Sequence, residues 1–125
     1  MFPIDFCHIP VSIIKRSAGR SAVAAAAYRS GTKLTNEWDG MTHDYTRKGG
    51  IVHAEIILPA HAPPEFADRS ILWNSVEQIE KARDSQLARE IEAALPRELS
   101  GEQQLALVRA YVKDNFVDKG MCLSL

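Results

Sequence analysis

The order of strand-like and helix-like segments constrains the fold of this chain more than any other feature. Residues 7–15 are rich in β-branched side chains and predict a strand, with Pro10 favouring an edge position or a bulge. Ser21 and Gly31 can cap and end a helix built on the alanine run between them. Strand and helix predictions alternate from there onward. Such an order fits either a parallel α/β sheet or an α+β layer with an antiparallel sheet.

The rest of the chain continues this alternation. It predicts a loop or ribbon, a strand, an amphipathic helix and a further strand, over residues 35–50, 51–59, 63–84 and 86–96. The last segment has a helix-like composition, but its period-two alternation favours a strand. Ser100 and Gln103 form a capping box for a final helix that Gly120 ends. Residues 121–125 then predict the first part of another strand.

Size and composition indicate one soluble domain. The chain has 125 residues, 46% hydrophobic and 25% charged, which predicts a single globular domain over 1–125. Its apolar runs are far shorter than the ~20 residues of a membrane span, and no secretory leader pattern is visible. Cys7 and Cys122 lie too far apart in the sequence to suggest a disulfide framework. We therefore expect a cytoplasmic protein without a membrane partner.

Basic residues are concentrated in the first part of the chain. Residues 1–50 hold 7 Lys or Arg against 4 Asp or Glu, a net +3, whereas the remainder has a net −4. Seven candidate DNA-binding residues make up this patch: Lys15, Arg16, Arg20, Arg29, Lys33, Arg47 and Lys48. A local basic patch on a weakly acidic chain suits an anionic partner such as nucleic acid. The simpler interpretation is a solvated basic face.

The sequence composition alone does not decide the role of Tyr28. It falls in the last turn of the predicted alanine-rich helix, with Arg20 and Arg29 on either side. Residue type and spacing favour an amphipathic tyrosine that ends a buried helix. A reactive phenol is the alternative. Tyr45 likewise has two interpretations, base stacking or loop packing, with packing favoured, while Trp38 and Trp73 are expected in loop and core packing respectively.

Four ordered motifs carry a family resemblance that covers the chain from about residue 8 to 122. They read RSAGRSAVAAAAYRSGTKL, HDYTRKGGIVHAEIILP, LWNSVEQIEKARDSQLAREIEAALPREL and VKDNFVDKGMC. Together they resemble the N-terminal part of the MobA/MobL (MobQ-class) plasmid relaxases, as in TraA-type conjugal transfer proteins. The resemblance implies an α+β histidine-hydrophobe-histidine (HUH) fold with an antiparallel sheet flanked by helices. It also implies site- and strand-specific nicking of plasmid transfer-origin DNA, single-stranded at the nick, and contact with other conjugation proteins.

The resemblance also implies roles for three residues. Tyr28, in AAAAYRSG, matches the family nucleophile that forms a phosphotyrosine, and the surrounding arginines would hold the scissile phosphate. Glu90 and Glu92 resemble an acidic pair beside the metal centre. There a carboxylate can orient a ligand histidine or take the proton of the nucleophile. A solvated acidic face is the alternative for this pair.

The metal of the family is expected to have no site here. Relatives bind a divalent ion, Mg²⁺ or Mn²⁺, through a histidine-rich segment after the motif that here reads DKGMC. This sequence continues as MCLSL, and His8, His43, His53 and His61 show no ligand spacing. The resemblance therefore predicts a truncated relaxase domain without its metal-bearing strand and without a bound metal. A non-catalytic DNA-binding remnant, or an inert gene product, is the alternative.

Overall fold

The computed structural model describes residues 11–92, 95 and 97–125. Within these residues the main elements are, in chain order, β1 (Val11–Lys15), α1 (Ala22–Ser30), β2 (Lys33–Asn36), β3 (Met41–Asp44), β4 (Ile56–Ile57), α2 (Arg69–Ile79), β5 (Gln86–Ile91), α3 (Gly101–Asn115) and β6 (Leu123–Ser124). Short 3-10 turns lie at Arg16–Ala18, Pro64–Ala67 and Val117–Lys119. Parts of two predicted strands lie outside the described residues, namely residues 7–10 of the first and residues 93, 94 and 96 of the other. Cys7 and His8 therefore also lie outside them.

All strand pairs among the described residues are antiparallel. β1 pairs with β5, β2 pairs with β3 as a hairpin, and β4 pairs with β6. The expectation of an α+β fold with antiparallel strands and packed helices is confirmed, and the parallel alternative is wrong. The β1–β5 register places Ser12 opposite Glu90, which fixes the side of the sheet that the acidic pair occupies.

Two apolar clusters lie against α1 and hold it between the hairpin and the β1–β5 pair. The first cluster consists of Val23, Ala26, Ala27 and Leu34, and the second of Ile14, Ala22 and Leu87. Trp73 of α2 packs against both clusters, which confirms its expected core position. Because most α1 side chains are alanine, the neighbouring elements can approach the helix closely.

The helix predicted over 63–84 is shorter than expected. The two prolines start a 3-10 turn, and α2 begins only after Asp68, whose carboxylate accepts the Ile71 N–H at 3.1 Å. The helix ends at Ile79, where the carbonyl oxygens of its last turn accept hydrogen bonds from the Arg16 guanidinium. Ile79 is 71% exposed, so this end of the predicted apolar face does not reach the core.

Two other predicted elements differ in extent. The strand expected over 51–59 is confined to Ile56–Ile57, because its partner β6 is itself only two residues long. The loop or ribbon over 35–50 contains the β2–β3 turn and β3. The capping box at Ser100 and Gln103 is present, with Gln103 N–H to Ser100 Oγ at 3.2 Å. No helix in the described part of the chain has the length and apolarity to cross a membrane.

Gly31 ends α1 as predicted and has a backbone that requires glycine. Its φ of 66° lies in the left-handed region, and its N–H bonds back to the Ala27 carbonyl. The Thr32 N–H reaches the same carbonyl at 3.1 Å. A Cβ at position 31 would lie 2.5 Å from Ile51 Cδ1. This turn sets where the preceding residues of α1 point.

Gly31→Ala is therefore expected to destabilise the protein. The left-handed conformation costs a non-glycine residue roughly 1–2 kcal/mol, and the Ile51 side chain must also move. Urea unfolding of the single variant and of Gly31→Ala combined with Ile51→Val separates the two effects. The backbone cost should persist in the double variant. A single variant as stable as the wild type would contradict this assignment.

Candidate active site

Tyr28 is half-exposed, 45% by accessible surface, in the last turn of α1. The edge of its ring meets the Tyr45 ring at 5.3 Å between centroids and 88° between planes. The Lys48 ammonium lies over the ring, 3.4 Å from its centroid. The phenolic hydroxyl forms no hydrogen bond within the described residues. The ring is thus held on two sides while the hydroxyl remains accessible.

A short turn after β3 delivers both ring partners to Tyr28. The Asp44 carboxylate accepts the Thr46 N–H at 3.0 Å and the Thr46 hydroxyl at 2.6 Å. These two hydrogen bonds hold the pKa of Asp44 below its ordinary value, and the bond from the Thr46 hydroxyl has the larger effect. The Lys48 N–H then bonds to the Tyr45 carbonyl at 3.0 Å. Tyr45 itself packs against the first core cluster, so the structure supports its packing interpretation.

The acidic pair and two arginines of the basic patch form one ionic cluster beside α1. Arg29 reaches Glu90 Oε2 through Nε at 3.0 Å and Nη2 at 2.7 Å, and Glu92 Oε1 at 3.0 Å. Arg20 bonds the second oxygen of Glu90. Because one guanidinium contacts both carboxylates, Glu90 and Glu92 lie on the same side, as the alternation predicts. The Arg29 guanidinium carbon is 5.7 Å from the Tyr28 ring centroid, which places this cluster next to the phenol.

Both central members of the cluster are held in their charged forms. Desolvation raises the pKa of Glu90, but hydrogen bonds and charge from Arg29 and Arg20 outweigh it, and the pKa lies below its ordinary value. The hydrogen bond to Glu90 raises the pKa of Arg29, against a smaller effect of burial. A carboxylate whose pKa is lowered is a weak base. Glu90 is therefore suited to holding arginines rather than to accepting a proton.

Glu90→Gln should lower the melting temperature at pH 7 but not in acid. A carboxylate with a lowered pKa stabilises the fold above its unfolded value, and this contribution disappears as pH falls through the folded value. Since the arginines are half-exposed, we expect a loss of ~1–3 °C. Thermal unfolding at pH 7 and below about pH 3 tests this, with Glu98→Gln as an exposed control. An equal loss at both pH values would contradict the assignment.

Arg16 does not belong to the exposed basic patch, contrary to the prediction. Its side chain is only 13% exposed and pairs with the buried Glu77 carboxylate at 3.0 Å. Its two Nη groups also donate to backbone carbonyls at the end of α2, including Glu77 O at 2.7 Å. The guanidinium also lies over the Trp38 ring, 3.9 Å from the centroid. A phosphate could not reach Arg16 without breaking this packing, so we remove it from the candidate DNA-binding residues.

The remaining candidate cations divide into two groups. Arg29 and Lys48 lie beside the Tyr28 ring, and Arg20 is linked to Arg29 only through Glu90. Lys15, Lys33 and Arg47 are exposed and lie outside those contacts. Lys33 stands opposite Asp44 in the β2–β3 hairpin, so part of its charge is balanced locally. The structure therefore brings two of the seven predicted basic residues to the tyrosine and links a third, Arg20, to them through Glu90.

The described residues do not fit a metal ion. Within them, no group of three or more His, Cys, Asp or Glu side chains is arranged to hold one. His43 lies on β3 opposite Leu34, while His53 Nε2 is 3.1 Å from Glu55, a carboxylate that also pairs with Arg109. His61 lies near Gly120. These histidines are dispersed, and we assign no metal-dependent step to them.

A buried polar network that the sequence did not predict connects α2 to the start of α1 and to the β2–β3 hairpin. Glu77 is 1% exposed, and its second oxygen accepts the Ala22 N–H at the start of α1 at 2.8 Å. Asn74 joins the hairpin to α2 by accepting the Glu37 N–H and donating to the Thr35 carbonyl, both at 2.9 Å. The available signal was helical spacing, since Glu77 follows Trp73 by one turn on the packed face of α2.

Comparison with known proteins finds a matching family and related sequences. Residues 20–125 match the MobA/MobL family model. The chain is 48% identical over 124 residues to the conjugal transfer protein TraA of Rhizobium radiobacter, covering 91% of this chain and 11% of TraA. It is 51% identical over 106 residues to the mobilization protein MobL of Acidithiobacillus ferridurans, covering 85% of this chain and 27% of MobL.

A solved structure shares the same architecture. It comes from work on the molecular basis of vancomycin resistance transfer in Staphylococcus aureus, superposes with a TM-score of 0.88 and is 30% identical. The match covers 94% of this chain and 60% of that one. The chain therefore belongs to the MobA/MobL family of relaxases. It spans only a tenth to a quarter of the length of the TraA and MobL relatives.

Proposed function

We propose that this chain carries the nucleophile of a relaxase and that Tyr28 attacks a phosphodiester of plasmid transfer-origin DNA. One observation carries the proposal: a half-exposed phenol, whose hydroxyl has no hydrogen-bond partner among the described residues, lies beside Arg29 and Lys48. A tyrosine that served only to cap the core would not need an ammonium group over its ring and a guanidinium group beside it. The names of the TraA and MobL relatives, conjugal transfer and mobilization proteins, support a DNA substrate.

The proposed step is a transesterification at phosphorus. The Tyr28 Oη forms a bond to the phosphorus atom, and the bond from phosphorus to one neighbouring sugar oxygen breaks. The phenolic proton is lost to solvent, and the departing sugar oxygen gains a proton and becomes a hydroxyl. The strand remains linked to the protein as a phosphotyrosine, so a later attack by a strand hydroxyl can rejoin it. Glu90 is not assigned as the base, because its lowered pKa makes it a weak proton acceptor.

The arginine cluster supports phosphate binding next to the phenol. Arg29 and Arg20 present guanidinium groups, which bind phosphate oxygens in a planar fork. Their present partners are carboxylates, and Glu92 is 66% exposed. An entering phosphate can displace that exposed contact at small cost, because surface ion pairs contribute about 0–1 kcal/mol. In this proposal the acidic pair positions Arg29 before DNA binds. The described residues do not fit the divalent ion that the resemblance implies, and no step here uses it.

Plasmid nicking tests the proposal. The chain is incubated with a supercoiled plasmid that carries its cognate transfer origin, with Mg²⁺ or Mn²⁺, alone and as a chimera. In the chimera this chain replaces the matching segment of R. radiobacter TraA, which is 48% identical. Open-circular plasmid carrying bound protein should form with the chimera and depend on Tyr28. Equal nicking by the Tyr28→Phe chimera would reject the proposal, whereas origin binding without nicking would favour a non-catalytic DNA-binding remnant.

A further inference from the structure

We propose that Lys48 is a positioning and charge-stabilising residue that raises the reactivity of the Tyr28 phenol, rather than a direct DNA ligand. This inference rests on the proposed role of Tyr28 as a nucleophile and adds a residue to that site. Its basis is one juxtaposition, in which the Lys48 ammonium lies over the ring and bonds to the Tyr28 main chain.

The ammonium is fixed by two contacts with the same residue. Lys48 Nζ is 3.4 Å from the Tyr28 ring centroid and donates a hydrogen bond to the Tyr28 carbonyl oxygen at 2.9 Å. The backbone of Lys48 is held as well, through the turn stabilised by Asp44 and Thr46. A lysine bound in this way has lost much of its freedom before any substrate arrives, so little ordering remains to oppose its effect.

Of the two cations beside the Tyr28 ring, Lys48 is the one whose charge no carboxylate among the described residues balances. Arg29 contacts both Glu90 and Glu92, and Arg20 contacts Glu90, so the two arginines and two carboxylates sum to zero charge. Within the described residues, no carboxylate lies within 4 Å of Lys48, and its hydrogen-bond acceptor is a neutral carbonyl. The net positive charge next to the phenol therefore belongs to Lys48.

The position of Tyr28 on α1 gives the Lys48 charge a role in stabilising negative charge on the phenol. Tyr28 lies in the last turn of α1, where the helix dipole places partial negative charge that disfavours an anion nearby. Lys48 bonds one of the carbonyls responsible. As the phenol reacts, negative charge develops on Oη and spreads into the ring. The attraction between ring and ammonium grows with that charge, so Lys48 stabilises the reacting state more than the resting state.

A DNA-free acylation experiment tests this inference on the full 125-residue chain. N-acetylimidazole transfers an acetyl group to nucleophilic phenols, and hydroxylamine removes it. Trypsin separates the three tyrosines, placing Tyr28 in the peptide of residues 21–29. Mass spectrometry then gives the acetylation rate of Tyr28, with Tyr111 as the internal reference. The variants are Lys48→Met, Lys48→Gln, which can keep the carbonyl hydrogen bond without the charge, and Lys48→Arg, with Lys81→Met as an exposed control.

The Tyr28 acetylation rate should fall about 3- to 10-fold in Lys48→Met and Lys48→Gln. Lys48→Arg should restore most of it, and Lys81→Met should leave it unchanged. If Lys48 only shields the ring, its removal would raise the rate or leave it constant, and either result overturns the inference. The reagent needs neither DNA nor metal, so the two proposals fail separately. Plasmid nicking without a Lys48 effect rejects this inference alone, and a Lys48 effect without nicking rejects the relaxase step alone.

Discussion

Phenylalanine at position 28 is expected to abolish formation of a covalent protein–DNA adduct while leaving the fold intact. The substitution removes one hydroxyl, which has no hydrogen-bond partner in the described residues, so the packing against Tyr45 and Lys48 should persist. Removal of a nucleophile lowers the rate of such reactions by roughly 10⁴- to 10⁶-fold. The measurement is the yield of an SDS-stable complex between the TraA chimera and a transfer-origin oligonucleotide.

Tyr45→Phe is the matched control for that experiment. It removes the same hydroxyl from the neighbouring ring, whose role in the structure is packing against the core and against Tyr28. Adduct yield should stay within a few-fold of the wild type in this variant. Oligonucleotide binding should be similar in all three proteins, because neither substitution changes a charge. Loss of the adduct in Tyr45→Phe with retention in Tyr28→Phe would reverse the assignment of the nucleophile.

Glu77→Ala should have the largest effect on stability of any substitution considered for this chain. It removes the partner of a largely buried Arg16 and leaves the Ala22 N–H without an acceptor. Breaking a buried ion pair in this way costs about 3–5 kcal/mol, which is a large part of the stability of a small domain. Urea unfolding followed by circular dichroism gives the free-energy change. Because Glu77 fixes the start of α1, we also expect Tyr28 to lose its fixed position.

Three comparison variants make the Glu77 result specific. Glu77→Gln keeps one acceptor oxygen, enough for one of the two hydrogen bonds, and should lose less stability than the alanine variant. Arg16→Met with Glu77→Leu removes both charges together and should also lose less, since no charge is left buried alone. Glu80→Ala alters an exposed carboxylate and should stay within about 0.5 kcal/mol of the wild type. A loss below about 1 kcal/mol in Glu77→Ala would show that this ion pair does not stabilise the fold.

Much of the fold was predictable because several elements carry local signals. Ser21 caps α1 with its hydroxyl, Gly31 ends that helix in the left-handed region, and Ser100 forms the capping box of α3. Alternation correctly identified β5 against a helix-like composition. Elements whose limits depend on distant partners were less predictable. The strand around Ile56 extends only as far as its pairing with β6 allows.

The residues of the site likewise fall into two groups, those that local motifs predict and those whose role depends on tertiary contacts. Tyr28, Arg29 and the acidic pair were identified from motifs, and the structure brings them together. The burial of Arg16 could not be predicted, because it depends on Glu77, which lies 61 residues away in sequence. Nor could the sequence distinguish Lys48 from the other cations. Its contact with Tyr28 depends on a turn that packs against the end of α1.

Peptide mapping of a trapped adduct tests the central claim most directly. The chimera is reacted with a transfer-origin oligonucleotide and then digested with nuclease and trypsin. Mass spectrometry gives the mass of each tyrosine-containing peptide. Attack by Tyr28 predicts a nucleotide phosphate on the peptide of residues 21–29, at the tyrosine, with unmodified peptides for Tyr45 and Tyr111. A nucleotide on another tyrosine, or an adduct that leaves the 21–29 peptide unmodified, would contradict the assignment of Tyr28 as the nucleophile.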